Sequence, residues 1–323
     1  MSWQQHMKEA IRDPNLLAKR LNLPTEAICP QQSAGDFPLF VPLPYLSRIE
    51  IGNPQDPLLL QVLPQAQESA QESGYSTDPL EEDSFSLAPG LLQKYDSRVL
   101  MVTTGACAIH CRYCFRRNFP YSESPRSMDA WEPTLQKVEA DESVREVILS
   151  GGDPLTLVDS LLEQLVTRIE SIQHIRRLRI HTRLPVVIPQ RITDSLISIL
   201  QHSRLQPVIV IHANHANELD DEAASALEKF KLTNTVLLNQ SVLLRGVNDS
   251  IAALQNLSQR LIECGVTPYY LHQLDKVQGT GHFHVPIETG KSLIKQLRAQ
   301  VSGYLVPRYV QEIPGRHNKT ILE

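Results

Sequence analysis

"RVLMVTTGACAIHCRYC", residues 98–114, runs from a stretch of aliphatic and β-branched residues directly into a loop that holds three of the chain's five cysteines. Its first half, Arg98 to Thr104, is a short apolar run of the kind that forms a buried strand. Its second half places Cys107, Cys111 and Cys114 with three and then two residues between them. A disulfide joins cysteines in twos and a closed zinc site takes four ligands, so three is the wrong number for either. Whatever this loop binds, it binds at the end of a strand.

The pairing of strand and polar loop recurs along the chain. "EVILSGG" (146–152), "RLRIHT" (177–182), "PVIVIHAN" (207–214), "TVLLNQSVLL" (235–244) and "TPYYLHQL" (267–274) are five further strand candidates. Between them lie "DSLLEQLVTRIESI", "TDSLISILQ", "DEAASALEKF" and "SIAALQNLSQRLIECG", apolar at helical spacing and mostly opened by Asp, Ser or Thr as caps. Strand, helix and strand in alternation imply an α/β fold with a parallel sheet and right-handed crossovers, here a partial (β/α)6 TIM-like barrel over residues 91–323. Residues 1–90 are proline-rich and broken, with a helix at the start and another near "LPYLSRIEIG". They read as an N-terminal helical extension wrapped on the barrel.

The polar signatures fall at one end of the strands. "SGGDP", "HTR", "HANHANE", "NQS" and "QLDK" follow the second to sixth strands as the cysteine loop follows the first. Parallel barrels assemble their sites from the loops at the C-terminal ends of the strands, so all six loops are expected to face one cavity.

Composition narrows the classes of function. The chain has 323 residues, 41% hydrophobic and 21% charged, which is an ordinary globular balance. A net charge of -5 gives no basic footprint for nucleic acid, and no block of like charge suggests a membrane-binding tail. "MSWQQHMKEAIRD" lacks the apolar core of a signal peptide, and no stretch approaches the ~20 apolar residues of a membrane span. A reducing cytoplasm is the expected setting, where clustered thiols read as metal-binding or catalytic.

Two readings of the cysteine loop follow. Three thiolates can hold three irons of a [4Fe-4S] cluster and leave the fourth iron open to a small chelating molecule. Alternatively, the three cysteines join His110 or His181 in a zinc site. Cys29 and Cys264 fall outside every motif.

Cys107, Cys111 and Cys114, with Tyr113 beside the last, match the C-x-x-x-C-x-aromatic-C signature, and in this the chain resembles radical S-adenosylmethionine (SAM) enzymes. "SGGDP", with Gly151, Gly152 and Asp153, is similar to that family's glycine-rich segment, which contacts the methionine amino group. From about residue 76 onward, "STDPLEE", "CRYCFRR", "LSGGDPL", "RLPVVIPQRIT", "NQSVLLRGVND", "PYYLHQLDKVQGTGHF" and "SGYLVPRYVQEIPGRHNKT" resemble segments of the lysine 2,3-aminomutases in the same order. "CFRRNFPY" and "LHQLDKVQG" are most like the shorter members that make β-lysine for modification of elongation factor P.

The resemblance implies a radical SAM barrel, a [4Fe-4S] cluster on the three cysteines, S-adenosylmethionine and pyridoxal 5'-phosphate. The activity implied is an isomerase that turns L-lysine into (R)-β-lysine, supplied with electrons by a reducing partner and linked to elongation factor P and its ligase; a homo-oligomer is allowed. Lys319 in "PGRHNK" matches the catalytic lysine that carries pyridoxal phosphate as an imine, although Arg316, His317 and Asn318 stand where the family has glycines. Lys94, Tyr95 and Arg98 match the phosphate-binding positions, Arg116 the substrate-carboxylate arginine, and Asp275 and Glu312 the acids for the substrate ε-ammonium. Glu312 replaces the aspartate of clostridial members. His212, Asn239 and Gln240 are further candidates for contact with the adenosyl or pyridoxal groups.

Overall fold

The structure, a computed structural model, describes residues 1–24, 37–70 and 72–323; Cys29 lies outside the described residues. Ten strands form one sheet in chain order. They are β1 (Ser86–Ala88), β2 (Leu91–Tyr95), β3 (Arg98–Thr104), β4 (Glu146–Gly151), β5 (Arg177–Thr182), β6 (Gln206–Ile211), β7 (Val236–Val242), β8 (Thr267–His272), β9 (Arg308–Gln311) and β10 (Thr320–Ile321). Each neighbour from β3 to β9 pairs parallel to the next, while β1, β2 and β10 pair antiparallel at the two flanks. This is a partial barrel of the TIM type. Its parallel strands read as apolar runs because both faces are covered; all six residues of β4 are buried.

The crossovers are helices at Met128–Ala140, Asp159–Ser171, Asp194–His202, Asp221–Glu228 and Ile251–Glu263, and Ile287–Gln300 connects β8 to β9. Thr193 and Ser250 cap their helices as the sequence suggests, while the helix expected to open on Asp221 is capped by the preceding Asp220; each of these side chains accepts from the backbone N–H three residues on. Leu162, Leu165, Val166 and Ile169 form the buried stripe of Asp159–Ser171, at the spacing that puts them on one face.

The six expected parallel strands are joined by a seventh, β9, whose Tyr309 and Val310 lie opposite Leu271 and His272 of β8. At four residues, flanked by Pro307 and Pro314, it is too short for an alternation signal. The sheet also begins earlier than expected, with β1 inside the first ninety residues. Ahead of it lie short helices at Trp3–Lys8, Pro14–Arg20, Leu43–Leu46 and Pro57–Leu60. Trp3, Leu17, Tyr45, Leu58 and Leu59 share one hydrophobic core with Leu149 of β4 and Ile180 of β5, and Arg191 lies over the Trp3 ring at 5.0 Å. Among the described residues, no helix is long and apolar enough to cross a membrane.

Candidate active site

The barrel encloses a cavity of about 1060 Å³, and every expected site residue lines it except Asn239. The cavity runs along the strands. Arg98 opens β3 and Cys107 follows its far end, so at ~3.3 Å per residue roughly 20 Å of strand separates two of its lining residues. Asn239 is a correction to the sequence reading. Its Oδ1 accepts from Ala213 N at 2.9 Å and its Nδ2 donates to Ala213 O and Ser241 Oγ, so it ties β7 to the loop after β6. Gln240, Ser241 and Val242, which follow it, line the cavity, and the β7–β8 register shifts between Asn239 and Gln240.

At one end of the cavity the cysteine loop folds on itself, with Cys114 N donating to Cys111 O at 3.0 Å. Burial, followed by the neighbouring sulfurs, pushes the Cys107 thiol well up and that of Cys114 to about 12. Thiols so placed ionise only against a cation, which is what a bound metal supplies. Of the histidines of the zinc alternative, His110 Nδ1 is 2.8 Å from Pro38 O and its ring stacks on Phe37, while His181 lies 5.9 Å from the His212 ring. Among the described residues, no three His, Cys, Asp or Glu side chains converge as a single ion would need.

The "SGGDP" loop packs directly under the cysteines. Gly152 N donates to Thr104 O and Asp153 N to Ala106 O, both at 2.7 Å. Gly151 has φ +122°, and a Cβ added to Gly152 would come within 2.3 Å of Ala106 O. The glycines therefore let two loop backbones approach each other. Asp153 is fully used: its carboxylate accepts from Leu155 N, Thr182 Oγ1, Arg183 N and Leu184 N at 2.7–3.0 Å. Gly152→Ala is expected to destabilise the fold by about 3 kcal/mol, as overpacking against backbone does, and to lower the iron bound per chain. Thermal melting and iron analysis would check both.

Charges of both signs face the remaining cavity. Arg116 gives Nε and Nη2 to the two oxygens of Glu82 at 2.7 and 2.8 Å, and Nη1 to Ser150 Oγ at 3.0 Å. Lys94 Nζ stands 3.8 Å from the same Glu82, and burial lowers its pKa despite that acid. Two cations thus share one carboxylate. The opposite balance holds at Glu312, which pairs with Lys319 and accepts from Tyr95 Oη at 2.6 Å. Burial opposes its ionisation, but Lys319 and Tyr95 outweigh burial and bring Glu312 down to about 2. Asp275 also lines this part of the cavity; burial, offset in part by Lys319, pushes it up to about 7. Tyr95 belongs to β2 and Glu312 follows β9, so their hydrogen bond joins the two flanks of the open sheet across the cavity. Arg98 lies 4.3 Å over the Tyr95 ring.

Neutral side chains complete the wall. Gln240 Nε2 lies 3.1 Å from His272 Nε2. Burial holds His181 and His272 far below the usual range and brings His212 to about 4, so these imidazoles offer hydrogen bonds without charge. His181 Nε2 is buried without a protein partner.

Comparison with known proteins accounts for this arrangement. A model of the radical SAM superfamily matches residues 101–254. The L-lysine 2,3-aminomutase of Haemophilus influenzae is 49% identical to the chain over 323 residues, covering 99% of this chain and 95% of that protein. The chain belongs to the lysine 2,3-aminomutase family. The enzyme of the same name from Escherichia coli is 46% identical, with 99% and 94% covered, and that of Clostridium subterminale is 39% identical over 278 residues, with 85% of this chain and 66% of that one covered. Membership makes the protein a radical isomerase of the aminomutase type, with a [4Fe-4S] cluster, S-adenosylmethionine and pyridoxal phosphate as cofactors.

The residues present fit these groups. Three cavity-facing thiols match a cluster with one open iron, Lys319 supplies a primary amine among the cations Lys94 and Arg98, and His181 Nε2 awaits a ligand's hydrogen bond. What sequence reasoning missed were the partners. Glu82 lies 34 residues from Arg116, and Arg183, which reaches the Cys111 sulfur, pairs with Glu218 and Gln61 from two other segments. The available signal was the arginine in "HTR": a guanidinium ending an apolar strand needs a buried acid somewhere.

Proposed function

We propose that this aminomutase converts L-lysine to β-lysine, and that the product serves modification of elongation factor P in the cytoplasm. The observation that carries the substrate assignment is the pair of opposed poles in one cavity. Arg116 and Lys94 around Glu82 leave one positive charge in excess; Asp275 and Glu312 around Lys319 leave one negative. An α-amino acid with a distal ammonium is the ligand that complements both.

Each residue then has a task. Arg116 receives the substrate carboxylate, and Asp275 and Glu312 receive the ε-ammonium. Tyr95, Arg98 and Lys94 would hold the phosphate of pyridoxal phosphate, and the Lys319 amine would bond its aldehyde carbon. Cys107, Cys111 and Cys114 ligate the cluster, with Gly151, Gly152 and Asp153 fixing the backbone beneath it. Gln240, His212 and His181 offer uncharged hydrogen bonds along the wall. When bound, the cluster and S-adenosylmethionine supply the radical and pyridoxal phosphate the conjugated carrier for nitrogen; the barrel excludes water and holds substrate C3 within reach.

The test is anaerobic incubation of reconstituted protein with L-lysine, S-adenosylmethionine and dithionite, with and without pyridoxal phosphate, followed by chromatography. β-Lysine formed only with pyridoxal phosphate is the expected result. Formation of 5'-deoxyadenosine without β-lysine would retain the radical chemistry and overturn lysine as substrate. The elongation factor P link is tested by adding that factor and its ligase and looking for the added mass of β-lysine.

A further inference from the structure

We propose that Arg183 is a positioning residue for the radical step: it raises the reduction potential of the iron–sulfur cluster through the Cys111 sulfur. The loop after β5 carries its guanidinium, 7% exposed, to the cavity wall, where Nη1 lies 2.7 Å from Cys111 Sγ. Among the described residues, Cys111 is the one cluster cysteine whose sulfur takes a side-chain donor.

The guanidinium is held from several directions. Asp153 Oδ2 accepts the Arg183 backbone N–H at 2.7 Å, which couples the "SGGDP" loop to this residue. Nη2 donates to Glu218 Oε2 at 2.6 Å and to Gln61 Oε1 at 2.7 Å. The rings of Tyr45 and Tyr113 stand 5.6 and 5.7 Å from its centre. Glu218 is fully buried and is satisfied in turn by Gln61 Nε2, Asn214 N and His215 N at 2.8–3.1 Å.

Stability alone does not account for such a pair. Removing two ions from water is expensive, and apolar replacements of a buried pair are often equally stable or better. The orientation does account for it. The positive member touches the sulfur and the negative member lies beyond, so the pair presents its positive end to Cys111. One-electron reduction adds negative charge to a cluster, and hydrogen bonds and charge at a ligating sulfur are established determinants of potential. Arg183 therefore favours the reduced cluster, and Glu218 tempers it from farther away.

The inference rests on the three cysteines holding a four-iron cluster, and its test is independent of turnover. Wild-type protein and the variants Arg183→Met, Arg183→Lys and Glu218→Gln would be reconstituted anaerobically, analysed for iron and sulfide, and titrated with the reduced cluster followed by electron paramagnetic resonance. Arg183→Met is expected to lower the equilibrium constant for reduction at least tenfold, about 59 mV for one electron, Glu218→Gln to raise it, and Arg183→Lys to stay near wild type. Opposite shifts from the two charge deletions would not come from a loosened loop. If Arg183→Met takes up no cluster, an upward shift in Glu218→Gln with Arg183→Lys unmoved still supports the proposal. Unchanged potentials, or shifts of the same sign in both charge deletions, overturn it. Wild-type protein that takes up no four-iron cluster overturns the reading on which it rests.

Discussion

Lys319→Ala is expected to abolish β-lysine formation, lowering turnover by more than about 10³-fold, because no other amine in the cavity is placed to carry the aldehyde of pyridoxal phosphate. Lys94, the next primary amine in the wall, is engaged by Leu80 O and stands against Glu82. The variant should also lose the visible absorbance of lysine-bound pyridoxal phosphate while keeping its iron and sulfide, since Lys319 lies on the stretch before β10 and the cysteines follow β3. Its second effect is electrostatic. Lys319 is the cation that brings Glu312 down to about 2 and restrains Asp275, so its removal leaves two carboxylates facing each other and moves both upward. Retention of full turnover in Lys319→Ala would show that the carrier is bound elsewhere or not used.

The barrel was legible because its signals are local. "RVLMVTT" and "EVILSGG" announce strands by composition, and Thr193 and Ser250 announce helix starts by chemistry acting over three residues. Where a feature depends on a distant partner, that legibility stops. β9 is four residues long and exists because β8 offers it a parallel edge; β1 and β2 read as loop until Met101 and Leu100 of β3 are set opposite Leu91 and Leu92. The family motifs name polar residues that line the cavity, and the exception, Asn239, is taken up by its hydrogen bonds to Ala213 and Ser241. They do not reveal electrostatic state. Arg116 reads as a free carboxylate receptor until Glu82 appears in its fork, and Glu312 reads as a longer aspartate until its extra methylene is seen to span from Tyr95 to Lys319.

Asp275 provides the sharpest pH-dependent expectation. Burial raises its carboxyl from the ordinary 3.8 to about 7 in the folded protein. Between those values the folded chain binds a proton that the unfolded chain does not, so the stability associated with this group is fully present below about pH 4 and is lost as pH rises through 7. The whole effect is on the order of 4 kcal/mol. Asp275→Asn cannot lose a proton, so before cofactors are added it should melt close to wild type near pH 4 and increasingly above it as pH rises to 8. Activity should run the other way. Only the ionised carboxylate attracts the substrate's ε-ammonium, so kcat/KM of the wild type should fall as pH drops below about 7. Asp275→Asn should lack that limb and lie roughly 10²-fold lower at pH 8, mostly through KM, as loss of one member of a buried charge pair implies. A variant that is more stable yet binds substrate worse at the same pH is the signature of a buried carboxylate that serves a ligand, since a residue placed for the fold alone would move both quantities together.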